Sequence, residues 1–319
     1  MTALRILFMG TPAFAVPSLQ RLVESQHNVV GVVTQPDRPR GRGRHVVPQA
    51  VKAAATERGL VVLQPTRLAD TETIESLRAL EPDLAVVAAY GRLLSQVLLD
   101  LPRLGVINVH ASLLPRWRGA APVHRAIVAG DTESGVTIMR VILALDAGPM
   151  LARVTTPIDP KDTSVDLEAR LATLGADALI GVVDRLAAGP VREDPQDDAA
   201  VTYAKRLERA DSRIDWVRPA LAVHNQIRGL QPWPLATATL NGRRLALLRA
   251  AVADERPQAQ PPGTVVAVER DAIVVAAGPG AIRLLELREE NRAAMSVSAY
   301  LNGRRVAIGD RFEPDLATS

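Results

Sequence analysis

GVINVHASLLPRWRGAAP, residues 105–122, opens as a strand and closes as a loop. Val106, Ile107 and Val109 are β-branched and apolar on both faces, the pattern of a strand inside a sheet. Asn108 and His110 break that pattern two residues apart, so on a strand they share one face. An amide or imidazole withdrawn from water needs hydrogen-bond partners. The pair is therefore either a satisfied strand end or part of a site.

Working outward, LRILFM, NVVGVVT, DLAVVAAY and GVTIMRV are further short apolar runs, with helical stretches between them. That alternation predicts an α/β domain built on a mostly parallel sheet over residues 1–189. Ligands of such sheets lie beyond the carboxyl ends of the strands, which directs attention to a few loops. The first of these, Gly10-Thr11-Pro12, has one glycine where a dinucleotide fingerprint needs three, so a nicotinamide or flavin site is not expected there. Gly10 reads as a tight turn before a helix begun by Thr11 or Pro12, or as lining for a substrate.

The polar stretch 190–209 reads as a linker. Beyond it the period changes: a helix is expected near 219–228. Short alternating runs then follow over 235–286, separated by NG, PPG and GPG turns. A small OB-like β-barrel over 210–319 is the expectation.

A length of 319 residues with 47% hydrophobic content supports two domains with real cores. Cysteine is absent, which excludes disulfides, thiolate metal sites and a cysteine nucleophile and fits the cytoplasm. MTALRILFMG reads as a first strand rather than a leader, and no apolar run approaches the ~18 residues of a membrane helix.

The chain's net charge is +3, from 38 basic and 35 acidic residues. Arg38, Arg40, Arg42 and Arg44, set against Asp37, account for as much within residues 34–48. Lys52, Lys161 and Lys205 are the only lysines, so arginine is the ordinary base here, yet four within seven positions stand out. Read alone, RPRGRGRH suits a solvated turn as well as a hook for an anionic partner.

LDAGPM at 145–150 sets Asp146 in a glycine-containing loop beyond the strand GVTIMRVIL. A carboxylate beside one imidazole orients it and favours its charged form. Asn, His and Asp without a serine or cysteine suggest that the nucleophile belongs to a substrate, as in acyl transfer to an amine. Asn108 could donate to the oxyanion and His110 move protons between the incoming and departing nitrogens, with Asp146 holding the ring. Ser112-Leu113-Leu114-Pro115 reads as an exposed apolar turn with free backbone groups, suited to a flat heterocycle or simply a surface loop.

INVHASLLPRWRGAAP, with ESGVTIM and LDAGPML downstream, resembles the 10-formyltetrahydrofolate-dependent formyltransferases. GTPAFAVPSL, TQPDRPRGRGR, TYAKRLERADSRIDW and QIRGLQPWPLA, spread in order over residues 10–236, are similar to the branch of that family that formylates methionyl initiator tRNA. The resemblance implies a Rossmann-like formyltransferase domain joined to an OB-like tRNA-binding domain, with Asn108, His110 and Asp146 catalytic. It implies a folate pocket lined by Ser112, Leu113, Leu114 and Pro115 together with Arg92, Leu93, Leu143, Ala144 and Leu145.

The same resemblance makes 10-formyltetrahydrofolate the formyl donor and implies no metal. The expected partner is methionyl initiator tRNA, the expected state a monomer away from membranes. In that family the arginine loop enters the acceptor stem, which marks Arg42 for discrimination and Arg38, Arg40 and Arg44 for phosphate attraction. LALDAGPM departs from the family's usual loop, which often has a glycine before Leu-Asp and Thr-Gly-Asp after it. The alternatives are a formyltransferase acting on a small amine, such as a sugar amine or ribonucleotide, a formyltetrahydrofolate hydrolase, and a plain RNA-binding module.

Overall fold

The computed structural model describes residues 2–40 and 45–314. The chain divides into two compact units. One holds Met1–Pro122, Ser134–Thr156 and Glu168–Ala204; the other holds Val123–Glu133, Pro157–Leu167 and Lys205–Ser319. Among the described residues no helix is long and apolar enough to cross a membrane.

The strands of the first unit are β1 (Arg5–Gly10), β2 (Asn28–Val33), β3 (Arg38–Arg40), β4 (His45–Val47), β5 (Val62–Leu63), β6 (Leu84–Ala88), β7 (Val106–His110), β8 (Arg118–Gly119), β9 (Glu133–Arg140), β10 (Met150–Pro157) and β11 (Tyr203–Ala204). Seven form one sheet in the order β10-β9-β7-β6-β1-β2-β5. β1 runs parallel to β2 and β6, β6 to β7, and β2 to β5, as the apolar runs predict. β9 departs from that pattern and runs antiparallel to β7, with His110 opposite Thr137 and Ile107 opposite Arg140. A parallel neighbour needs a crossover that carries the chain back. Most of the intervening helix, Pro122–Ala129, belongs to the other unit and supplies none.

Gly10 ends β1 because nothing larger fits: a Cβ there would meet Ala15 Cβ at 2.8 Å and the Ala88 carbonyl at 2.9 Å. The helix expected at Thr11 or Pro12 starts later, at Val16, after a single tight turn over Ala13–Ala15. Under the sheet, Leu7, Met9, Val33, Leu77, Ala85 and Tyr90 share one core. Gly175, in the helix Ser164–Ala188, lets that helix close on β7 and β9, since a Cβ there would meet Val109 at 2.8 Å and Val136 at 3.2 Å. Val109 thus packs on the face opposite to Asn108 and His110.

The arginine stretch is not a bare turn: β3 and β4 pair antiparallel, Arg38 opposite Val47 and Arg40 opposite His45. Arg42 and Arg44 lie outside the described residues. Asp37 fastens the base of this ladder, accepting from Lys52 Nζ, from the Gln49 amide at 3.3 Å and from Gln64 Nε2 at 3.2 Å. The bond from Lys52 leads in holding the Asp37 carboxyl below the usual range.

The second unit's strands are β12 (Ala236–Leu240), β13 (Arg243–Asp254), β14 (Val265–Val268), β15 (Ile273–Ala276), β16 (Ala281–Glu289), β17 (Met295–Ser296) and β18 (Phe312–Pro314). Their order, β14-β15-β16-β13-β12-β18, closes on itself through a Thr264–Arg311 bridge, with the Val265 amide donating to the Asp310 carbonyl. Asn241 and Gly242 both have positive φ, the hairpin turn that the NG dipeptide predicts between β12 and β13. Trp216 and Phe312 stand 5.4 Å apart within a core of Ile214, Leu245, Leu247, Ile282 and Leu284. The helix Ala220–Gly229 is where the sequence placed it; the helix Val297–Gly303 and the strands β17 and β18 were not anticipated.

Residues 190–204, expected as linker, are folded against the first unit. Met150 and Asp194 form a bridge, β11 pairs with β8, and the Arg118 amide donates to the Thr202 carbonyl at 2.9 Å.

Candidate active site

His110 is held at the end of β7, only 6% exposed. Its Nε2 lies 2.9 Å from the carbonyl oxygen of Trp117. A carbonyl can only accept, so Nε2 carries a hydrogen and Nδ1 is the nitrogen left to exchange a proton. Nδ1 faces Asp146 Oδ2 at 3.8 Å, the reach of an ion pair rather than of a hydrogen bond. Asn108, half-buried, shares the face of β7 with His110. The three residues read from the sequence as a triplet are therefore grouped on one face and one facing loop.

Asp146 arrives by a route the sequence did not suggest. Because β9 is antiparallel, the loop after Arg140 starts level with Ile107, at the amino end of β7. It returns along the sheet until the carboxylate reaches His110. Two devices hold it there. The Gly119 amide donates to Asp146 Oδ2 at 2.8 Å, and Gln196 Nε2 donates to the backbone carbonyls of Asp146 and Gly148, each at 2.8 Å. Asp146 has φ +48°, a left-handed conformation that aspartate tolerates better than most residues.

Trp117, whose carbonyl meets His110, also has positive φ, +65°, where a bulky side chain is an outlier costing about 1–3 kcal/mol. Its surroundings fix it: the Trp117 amide donates to Thr202 Oγ1 at 2.9 Å, and the Arg116 guanidinium stands 5.2 Å from the ring centroid. Gly119 has φ +122°, and a Cβ there would meet the Ala204 carbonyl at 2.7 Å. Residues 117–119 thus form a platform that touches both His110 and Asp146 and is clamped by residues 202–204.

The turn after β7 is more buried than expected. Ser112 and Leu114 are enclosed, while Leu113 and Pro115 are partly exposed. Its backbone is largely engaged as well. Thr137 Oγ1 donates to the Ser112 carbonyl at 2.7 Å and accepts from the Leu114 amide at 3.1 Å, and Ser112 Oγ donates to the Arg116 carbonyl. The sequence reading of free backbone groups is corrected accordingly: the antiparallel β9 brings Thr137 against the turn. Arg92 turns to the loop at Thr66, donating to its carbonyl at 2.7 Å. Leu93, Leu143 and Leu145 are exposed by 79%, 64% and 51%, and Ala144 is exposed too.

Trp117, Gly119, Thr137 and Gln196 were not singled out from the sequence. Gly119, a glycine just past an arginine-rich turn, was the one legible signal among them; Trp117 acts through its backbone carbonyl, and Thr137 and Gln196 act on backbone groups of residues distant in sequence, which leave no mark in a sequence.

A family model described as formyl transferase matches residues 4–183, and one described as the formyl transferase C-terminal domain matches residues 206–305. A methionyl-tRNA formyltransferase of Pseudomonas fluorescens is 49% identical over 302 residues, 95% of this chain and 94% of that protein. One of Ectopseudomonas mendocina is 48% identical over 98% of both chains. Among solved structures, an N-formyltransferase from Helicobacter canadensis in complex with folinic acid and dTDP-3-aminofucose covers 88% of this chain and 98% of its own at TM-score 0.68; at 17% identity it speaks for the fold alone. End-to-end identity near one half, with both family models matched in order, places this chain in the methionyl-tRNA formyltransferase family.

Proposed function

We propose that Asn108, His110 and Asp146 carry formyl transfer in this chain, from 10-formyltetrahydrofolate to the free amino group of methionyl initiator tRNA. The observation that carries the assignment is His110, pinned through Nε2 to Trp117 with Nδ1 turned toward Asp146.

The aminoacyl amine attacks the formyl carbon, and Asn108 donates to the oxygen as it gains negative charge. The amine loses a proton and the departing nitrogen needs one, so a single imidazole passing that proton through Nδ1 balances the transfer. The Asp146 carboxylate stabilises the ring while it is charged. Ser112 to Pro115, Arg92, Leu93 and Leu143 to Leu145 are assigned to the folate. The exposed leucines among them suit a flat ring.

The tRNA is assigned to residues 210–319 and to Arg38, Arg40, Arg42 and Arg44, with the chemistry in residues 1–189. A small amine acceptor is not favoured, because relatives named for charged tRNA match the chain along its length. The test compares charged initiator tRNA with free methionine as formyl acceptor. Transfer to the tRNA alone is expected; equal transfer to free methionine, or none to the tRNA, refutes the assignment.

A further inference from the structure

We infer that Gln196 is a positioning residue for the formyl transfer, acting through the loop that carries Asp146. The inference rests on the catalytic assignment of Asp146 proposed above.

Gln196 lies 50 residues beyond Asp146, in a stretch whose composition reads as linker. Its amide nitrogen has two hydrogens, and both are used on one loop: Nε2 donates to the Asp146 carbonyl and to the Gly148 carbonyl, 2.8 Å each. The side chain is itself oriented from behind, since the buried Arg118 donates from Nε to Gln196 Oε1 at 3.0 Å. Arg118 is tied in turn to Asp198, with Nη2 3.2 Å from its carboxylate. The chain Asp198–Arg118–Gln196 therefore ends on the backbone of the residue whose carboxylate faces His110.

Geometry gives this contact its leverage. Asp146 has φ +48°, so its side-chain direction depends on keeping an uncommon backbone conformation. Gln196 grips the carbonyls of Asp146 and Gly148, on either side of the peptide between Ala147 and Gly148, while Gly119 grips the carboxylate itself. At 3.8 Å from Nδ1, the carboxylate has little margin, and a displacement of ~1 Å at a reacting group can cost up to ~10²-fold in rate.

Gln196→Glu separates donation from packing. A glutamate has the same shape and pairs with Arg118 at least as well, yet offers two carbonyls an acceptor in place of two donors. Gln196→Met fills the volume with neither role and provides a second variant should the first fold poorly. Both are expected to lower kcat ~10- to 100-fold, with KM for charged tRNA and for 10-formyltetrahydrofolate within about twofold of wild type; the melting temperature should change little in Gln196→Glu and fall in Gln196→Met, which leaves Arg118 Nε without its acceptor. In an Asp146→Asn background, Gln196→Glu should add almost nothing, because the group it positions is already disabled.

Wild-type kcat in both Gln196 variants overturns the inference, as does a full multiplicative loss in the double variant. A wild-type kcat in Asp146→Asn alone would instead overturn the catalytic assignment, so the two failures are distinguishable.

Discussion

Replacing His110 by glutamine tests chemistry apart from fold. The glutamine amide reaches about as far as imidazole Nε2, so donation to the Trp117 carbonyl survives while the titratable nitrogen facing Asp146 is lost. The surviving bond is worth about 1 kcal/mol net, so His110→Gln should stay within roughly that margin of wild-type stability. His110→Ala removes the bond and leaves the Trp117 carbonyl unmet in a buried place, a loss of about 1–3 kcal/mol. Losing a general acid or base costs ~10²- to 10⁴-fold in rate, or about 2.7–5.5 kcal/mol in barrier; the figure for His110→Gln lies well below that range and the figure for His110→Ala reaches only its lower end, so glutamine is the cleaner variant.

The assay is single-turnover transfer with enzyme in excess over charged initiator tRNA, scoring N-formylmethionine after deacylation and the melting temperature in parallel. Both variants should be slower by ~10²-fold or more, and only alanine should melt early. If His110→Gln turns over within about threefold of wild type, or if rate follows melting temperature across the pair, the assignment of His110 as proton carrier is refuted.

Gly119→Ala should lose about 1–3 kcal/mol, since the new Cβ would sit 2.7 Å from the Ala204 carbonyl at φ +122°, and turnover should fall with it because the Gly119 amide holds Asp146. Chemical denaturation and kcat measured together check both parts. Burial lowers the pKa of His124 and of His224 below the ordinary value, so the folded state prefers both rings neutral. Their contribution is complete above about pH 6.5 and is lost as pH falls from there through the depressed values. Denaturation midpoints should therefore drop between pH 7 and 5, less so in a His124→Gln/His224→Gln variant; a rise over that range would contradict the burial argument. Arg42→Ala should narrow the preference for initiator over elongator tRNA, whereas Arg38→Ala should weaken both and soften the salt dependence. Equal effects from the two changes would reject that division.

What the sequence showed, it showed through patterns that side chains carry. β-branched runs located β1, β2, β6, β7 and β9, and the polar break at Asn108 and His110 marked the candidate site because burying such groups is costly without hydrogen-bond partners. The direction of β9 was hidden, because a buried strand carries the same apolar pattern whether its neighbour runs parallel or antiparallel. Asp146 was found on the premise that loops beyond strands gather at one end of the sheet; the premise fails for β9, and the carboxylate reaches His110 by doubling back. Ser112 and Leu114 read as exposed because Thr137, which binds that turn, is distant in sequence. Gln196 was illegible for another reason: its partners are carbonyl oxygens, which every residue has.

The chain crosses between its two units at residues 122, 133, 156, 167 and 204, and synthesis turns that layout into a timing problem. The helix Pro122–Ala129 buries Val123, Ala126 and Ile127, and Gly229 is the close-packing position that receives Ile127 and Val128. That receiving helix, Ala220–Gly229, is completed 100 residues later. At ~5–20 residues per second, the apolar face waits about 5–20 s on the ribosome for its cover. Slower translation between residues 130 and 220 lengthens the exposure, and a chain released early leaves the face bare, so the two units are not interchangeable parts to be cut and rejoined at one point.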